Sequence, residues 1–550
     1  MSNNVGLSPS IVTSERDFLV GRRRVSFGFA GTVGNFNWGE VNKKKLIQDE
    51  KTLVQTFHEP DDDNFADWYA VSNYHAYNDK LYVVRAINET DSYNAGIAIT
   101  ETGTDAAFAA LRKNKDDEIT VTFESAQKLK FLAKYAGSYG NKISVAMSTS
   151  ADFATANIID TESQTITFKD TFEYAPAAGE LAIVVMVDDE IVERHVVSLT
   201  QGSKDFRGRS NYIENYIERM SRYIYVYDNT ANTNIASFEA VSLAGGAHTA
   251  PTAADYNTAF NEFDNPDEME LDVLYIGGAI MLADSQLVIQ HVIDNILPAK
   301  RRDAMFIFDI SPDILNGLTK NDMLDEVITF SSTTINRNTS FAAYYPDCKY
   351  QYDRYNDKWR WMPISGDIAG VYSVGAFFEA PAGLNRGMIL NCARLMLNPD
   401  QTMRDVMYPL NINPIYTLKN IGHAVMGQKT LLHSASIFSR VETRRLFSMM
   451  QKAATNVAKY YQFQKNTPTE RRRFVSDVEP FYRQLVGLDG LEDYLIVCDE
   501  TNNTSDVRES NEMIADFYLK PTYSAEWIRL NFNATRGTVN FEDIVAQPLI

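Results

Sequence analysis

Hydrophobic and polar positions along this chain fall into three textures, and the shifts between them divide it. Residues 1–20 carry few large apolar side chains in any period and read as an arm. Arg22, Arg23 and Arg24 then precede residues 25–33, a short apolar run broken by Gly28 and Gly31 that predicts a buried strand. Residues 51–57 predict a short helix, and residues 65–76 a second, with Phe65, Trp68, Tyr69 and Ser72 on one face. Residues 81–85 (LYVVR) predict another buried strand. Strand, helix, helix, strand in this order points to an α/β layer. From about 91 to 265 the texture changes: residues 119–123, 143–147 and 181–187 alternate as β-strands do, with turn residues between them. Residues 240–253 are rich in small side chains and read as a loop or domain boundary. The α/β texture returns with strands at 271–276 and 304–309 and a helix at 285–297, so the middle reads as an insertion into a discontinuous α/β domain. Residues 441–464 predict a long helix with Phe447, Met450, Ala454, Val457 and Tyr461 on one stripe, and 470–486 a second. Residues 493–498, 513–519 and 525–532 predict strands, and 533–550 run out as a tail. No repeat of 20–50 residues is present, which argues against a solenoid.

Composition adds scale. At ~150 residues per domain the chain has room for about three or four domains. Its 45% hydrophobic and 12% aromatic content is that of an ordered globular protein. The expected division is an N-terminal arm (1–24), a first α/β part (25–90), a β-rich insertion (91–265), a second α/β part (266–400), a C-terminal part (401–532) and a C-terminal arm (533–550). No apolar run approaches the length of a membrane span, and residues 1–17 lack the basic and apolar regions of a secretory signal. Cys348, Cys392 and Cys498 lie far apart without paired spacing, as in a protein folding in a reducing cytosol. A soluble cytoplasmic product is expected.

The net charge of −20 is unevenly spread: residues 91–270 hold 28 acidic and 14 basic side chains, whereas 421–490 hold 5 and 11. Two faces with different neighbours follow. Overall repulsion argues against direct contact with nucleic acid.

Candidate chemistry changes the picture little. Gly28, Gly31 and Gly34 follow the first strand with spacing G-x-x-G-x-x-G, but no helix opens after them, as a dinucleotide loop requires. The seven histidines (His58, His75, His195, His248, His291, His423 and His433) form no H-E-x-x-H and pair with no nearby cysteine. Ser365-Gly366-Asp367 lacks the context of a nucleophile elbow. Asp61-Asp62-Asp63 lacks the spacing of a calcium loop, and Arg471-Arg472-Arg473 is too short for a nucleic-acid footprint. The residues assign no catalytic, cofactor-binding or metal-binding position.

Motif order is more telling. Residues 405–431 read DVMYPLNINPIYTLKNIGHAVMGQKTL, similar to the tail-sheath pattern in which L-N-x-x-x-I-N-P-I precedes a glycine turn, a strand and W-G-x-R-T-L. Here Met426 stands for the usual Trp and Lys429 for Arg. Residues 441–447 (VETRRLF) resemble the family's I-N-V-R-R-L-F helix start, and 494–504 (YLIVCDETNNT) its Y-x-V-x-C-D-x-x-N-N-T element. Upstream, 342–346 (AAYYP), 363–366 (PISG), 368–372 (IAGVY) and 380–383 (APAG) follow in the expected order. Nearer the N-terminus, 7–12 (LSPSIV) stands where sheaths carry S-P-G-V-Y, and 204–214 resembles the T-even type. The chain thus resembles the contractile bacteriophage tail sheath proteins, T-even-type myovirus sheaths in particular, over most of its length, with 91–200 and 230–265 unmatched.

That resemblance implies a mixed α/β and β multi-domain protein: an inner α/β domain built from both chain ends, with an inserted β-rich domain protruding. It implies a structural, non-enzymatic subunit without cofactors. Such subunits stack as hexameric rings into a helical sleeve around the tail tube and contract to drive the tube through the host envelope for genome delivery. Implied partners are further copies of the chain, the tail tube protein, and baseplate and tail terminator proteins, with no direct nucleic-acid contact and no membrane insertion. The implied location is the virion tail, after assembly in the host cytoplasm; the sheath of a tailocin or other contractile injection system is the alternative. The family's terminal strand exchange maps onto Val5, Leu7, Ile11 and Val12, and onto Trp527, Ile528, Leu530, Phe532, Val539, Phe541 and Ile544. On the tube-facing side the basic candidates are Arg444, Arg445, Lys452, Arg471, Arg472 and Arg473.

Overall fold

The computed structural model describes residues 28–530 apart from 101–102, 162–163, 206 and 233–234. The chain clusters into two compact units, 1–456 and 457–550.

In the first unit the four buried runs read from the sequence join two short strands, Lys45–Ile47 and Ala342–Tyr344, in a six-stranded sheet. Its order is Ala342–Tyr344, Met305–Phe308, Val273–Tyr275, Ala30–Asn35, Leu81–Ala86 and Lys45–Ile47. Every neighbouring pair is parallel except the last, where Lys45–Ile47 runs antiparallel along Leu81–Ala86. A parallel sheet must bury both faces, and alternate residues divide accordingly. Phe306 and Phe308 enter one apolar cluster with residues of the helices Ala253–Phe260 and Ser285–His291. Met305 and Ile307 enter a second cluster on the opposite face, with residues of Phe65–Tyr74 and Ser365–Val374. Those two helices approach so closely that a Cβ at Gly366 would overlap the Ala70 carbonyl, an approach that glycine permits.

Residues between these halves form two four-stranded antiparallel sheets. One has the order Glu190–Ser198, Glu180–Val187, Ile143–Thr149, Phe238–Ser242; the other Ile224–Asp228, Gln127–Ala133, Gly96–Thr100, Gly103–Ala107. Inward residues of both, such as Ile97, Phe131, Val145 and Ile183, share one core with Ile213 and Ile217 of the helix Ile213–Met220. A further small sheet pairs Cys348–Asp353 with Lys358–Pro363 and Arg394–Leu395.

The second unit holds the helix Pro468–Gly487 and an antiparallel pair, Leu491–Val497 with Asp516–Pro521. Tyr482 of the helix stacks on Phe517 with ring centres 5.5 Å apart.

Two expected strands are absent among the described residues. Residues 119–123 form no strand despite their alternation, and residues 525–530 of the expected strand 525–532 are irregular. The helix expected over 441–464 ends earlier, at Ala458.

Candidate functional site

Sheath-like motifs resolve into staples that hold strand ends. Asn413 donates through Nδ2 to the carbonyls of Tyr344 and Lys429 at 3.1 and 2.8 Å and accepts from the Lys429 N–H at 2.6 Å, tying its loop to the end of the central sheet. Asp309 accepts from the N–H groups of Ile364 and Ser365, both at 2.7 Å, at the start of the helix Ser365–Val374. In the second unit Asn503 accepts from the Ile514 N–H at 2.9 Å and donates to the Ile514 carbonyl at 2.8 Å. Asn502 donates to the Val497 carbonyl and to Asp516. The two asparagines therefore close the loop that joins the strand pair, which accounts for an N-N-T sequence there.

That pair is a two-stranded sheet, so among the described residues both outer edges lack a neighbour. Its outward face exposes Leu495 and Tyr518, opposite one another in the register. Beyond it Trp527, Ile528 and Leu530 are 75%, 78% and 71% exposed. A lone hairpin with unpaired edges and apolar flanks is an opening for another chain. The remaining strand-exchange residues, Val5, Leu7, Ile11, Val12, Phe532, Val539, Phe541 and Ile544, lie outside the described residues.

The basic candidates need correcting. Arg444, Arg445 and Arg471 are 6%, 5% and 1% exposed, so their side chains are packed largely inside the fold and form no basic surface patch. Arg471 donates to Asn466 and Glu500 at 2.8 and 2.7 Å. Arg445 donates to the Tyr372 carbonyl. The Lys452 ammonium lies 3.6 Å from Asp272 and 3.7 Å from Glu270, largely buried. Only Arg472 and Arg473 of this set stand at the surface. Counting charge along the segment missed this because the acceptors that bury Arg445 and Lys452 come from distant parts of the sequence.

The other singled-out residues serve packing. A Cβ at Gly31 would press on Leu274 and Phe263, and one at Gly34 on the Phe36 ring. Asp62 pairs with Lys358 and Arg360. Burial pushes the Cys392 thiol up to about 12 and raises Cys348 and Cys498 as well. His423 meets Thr417 at 2.9 Å. No group of three or more His, Cys, Asp or Glu side chains among the described residues is placed to hold a metal ion.

Two histidines sit where the central sheet meets the middle sheets. His58 stacks on Tyr139, ring centres 3.7 Å apart, and His248 hydrogen-bonds Asn35 Oδ1 at 2.6 Å. Burial first, then the nearby Lys142 and Arg85 respectively, lowers each to about 4. Between pH 6.5 and 4 the unfolded chain binds the proton and the folded chain does not, so stability falls as pH falls through that window. Asp67 and Asp309, raised by burial to about 7, act oppositely. Comparing His58→Phe with wild type isolates the histidine. The variant should lose about 2 kcal/mol less between pH 7 and 5 in denaturant titrations; equal losses would contradict a neutral, buried His58.

The profile for the phage tail sheath C-terminal domain matches residues 433–535, the region of the hairpin and its staples. Over 438 residues the chain is 30% identical to the tail sheath protein of Enterobacteria phage T4, across 75% of this chain and 66% of that one. The tail sheath protein of Vibrio phage KVP40 is 26% identical over 98% of this chain and 99% of its own length. The chain belongs to the contractile phage tail sheath family. The fold agrees: the sheath tail protein of Listeria innocua superposes with a TM-score of 0.57 at 10% identity, covering 91% of this chain and 97% of that one. That of Desulfitobacterium hafniense gives 0.53 at 12%, covering 94% and 100%.

Proposed function

We propose that this sheath subunit polymerises as a helical sleeve around a phage tail tube and contracts to drive the tube through the host envelope. The observation that carries the reading is the strand pair Leu491–Val497 and Asp516–Pro521, with no strand neighbour on either edge among the described residues and exposed apolar residues beside it. Terminal strands of neighbouring copies, Val5–Val12 and the stretches around 527–532 and 538–544, complete it by β-addition. Backbone hydrogen bonds then tether subunits while the packed modules rotate and form new contacts. A heterologous contact whose rotation does not close generates a helix, and the extended sleeve is a kinetically trapped state released by the baseplate without nucleotide. The acidic middle sheets form the outward insertion of a discontinuous inner domain. Baseplate and terminator proteins bound the sleeve, which assembles in the host cytoplasm and ends in the virion.

Purified chain viewed by negative-stain electron microscopy should give long hollow striated tubes. Chain that stays monomeric even with purified tube protein would contradict the reading. On the tube side, reversal of the exposed Arg472 and Arg473 to Glu should weaken tube-templated assembly about tenfold at low salt and less at high salt; assembly indifferent to both would remove these residues from the tube interface.

A further inference from the structure

Arg444 lies in the first turn of the helix Val441–Ala458 and is almost wholly buried, yet its Nε and Nη2 have no hydrogen-bond partner. Its guanidinium carbon stands 4.6 Å from the centre of the Phe341 ring and 4.7 Å from that of Phe438, so two aromatic rings wall it in. No carboxylate among the described residues pairs with it. The charged group that acts on it is another cation, the exposed Arg302. Its neighbour Arg445 has partners by contrast: it donates to the Tyr372 carbonyl, lies over the Tyr372 ring at 5.0 Å and feels the opposite charge of Asp272.

A buried cation without a counter-ion is costly, and aromatic walls return only part of that cost. The position compounds it, because the start of a helix carries a positive end charge that disfavours cations and favours anions. What the Arg444 guanidinium lacks is an anion: the 18-residue helix carries Glu442 in its first turn, but no carboxylate among the described residues pairs with Arg444, and Arg302 adds a second positive charge nearby.

We propose that Arg444 and Arg302 form a receptor for a carboxylate side chain carried by a second copy of this chain. The inference rests on the sheath reading. A second copy is the source because the subunit meets itself repeatedly in a sleeve and carries 72 acidic against 52 basic side chains. A planar guanidinium donates to a carboxylate in a fixed direction, so the contact also sets the angle between copies. An unassembled subunit holds the site unsatisfied, and assembly relieves it.

The test compares polymerisation of purified wild type, Arg444→Met and Arg302→Glu, without tube protein, by sedimentation and electron microscopy. Arg302 is exposed, so its variant folds whatever becomes of the buried one. Both variants should raise the concentration needed for polymerisation by about tenfold or more. The melting temperature of unassembled Arg444→Met should be unchanged or higher, because an unpaired buried charge has been removed. Polymerisation of both variants at the wild-type concentration would overturn the proposal. So would a clear drop in the melting temperature of Arg444→Met with normal polymerisation of Arg302→Glu, which would make Arg444 a packing residue. Normal self-polymerisation with loss only of co-assembly on tube protein would assign the carboxylate to the tube and overturn the second-copy source. Wild type that never polymerises, alone or with tube protein, overturns the sheath reading and this inference with it.

Discussion

Arg85→Met should lower the stability of the first unit by about 3 kcal/mol. Arg85 sits on the central-sheet strand Leu81–Ala86, fully buried, and donates to three carbonyls: Phe36 and Gly39 at 2.6 and 2.8 Å, and Ala136 at 2.7 Å. Phe36 and Gly39 belong to the turn after the first strand, and Ala136 follows the middle-sheet strand Gln127–Ala133. One side chain therefore rivets the two sheet systems together. Methionine fills much of the same volume but leaves three buried acceptors without donors, at about 1–3 kcal/mol each. Removing the cation returns some of this, since burial already pushes Arg85 down to about 9. The net sign is still a loss. Equilibrium denaturation followed by circular dichroism measures it, and Arg85→Lys, which keeps a charge but fewer directed donors, should fall between the two. A loss below 1 kcal/mol in Arg85→Met would mean that water replaces the guanidinium without penalty.

The second large effect is on assembly. Removing residues 1–20 should leave a folded chain that no longer forms sleeves. A donated strand of about six residues contributes net hydrogen bonds of ~0.5–1.5 kcal/mol each, and apolar burial against the exposed flank of the hairpin adds to them. After the entropy of ordering the arm is subtracted, ~3–5 kcal/mol remains per strand, about two to four orders of magnitude in affinity. Analytical ultracentrifugation of truncated and full-length chain, with melting curves to establish folding, reads both halves of the expectation. Truncated chain that polymerises at the full-length concentration would remove the N-terminal arm from the mechanism.

Periodicity located the elements better than it located their neighbours. The strand expected over 181–187 appears as Glu180–Val187, and the helix expected over 470–486 as Pro468–Gly487, because each buries a continuous set of side chains with its own period. Sheet order was another matter. Val273–Tyr275 and Ala30–Asn35 lie side by side although more than two hundred residues separate them, and nothing in either run encodes that partner. Residues 119–123 (ITVTF) show why alternation alone is weak: their side chains favour strands, yet without a partner strand among the described residues the alternating pattern does not make a ladder. At the candidate site the motifs were legible as sequence while their roles were not. Asn413 and Asn503 act through backbone groups up to sixty-nine residues away. The basic residues misled for a related reason. Arginine and lysine stems are long enough to be buried while the charged end finds a carbonyl, a ring or a carboxylate elsewhere in the fold. Burial of Arg445 depends on Tyr372, and that of Lys452 on Asp272, so local charge counting placed on the surface what the fold turns inward.

The most direct test of the central claim is a cryo-electron-microscopy reconstruction of the polymer formed by the purified chain. The account expects a helical sleeve in which Leu491–Val497 and Asp516–Pro521 are flanked by strands traceable to the termini of neighbouring copies, so that the two-stranded pair becomes the centre of a wider sheet. A polymer in which that pair keeps both edges open, with subunits joined only through other surfaces, would contradict it.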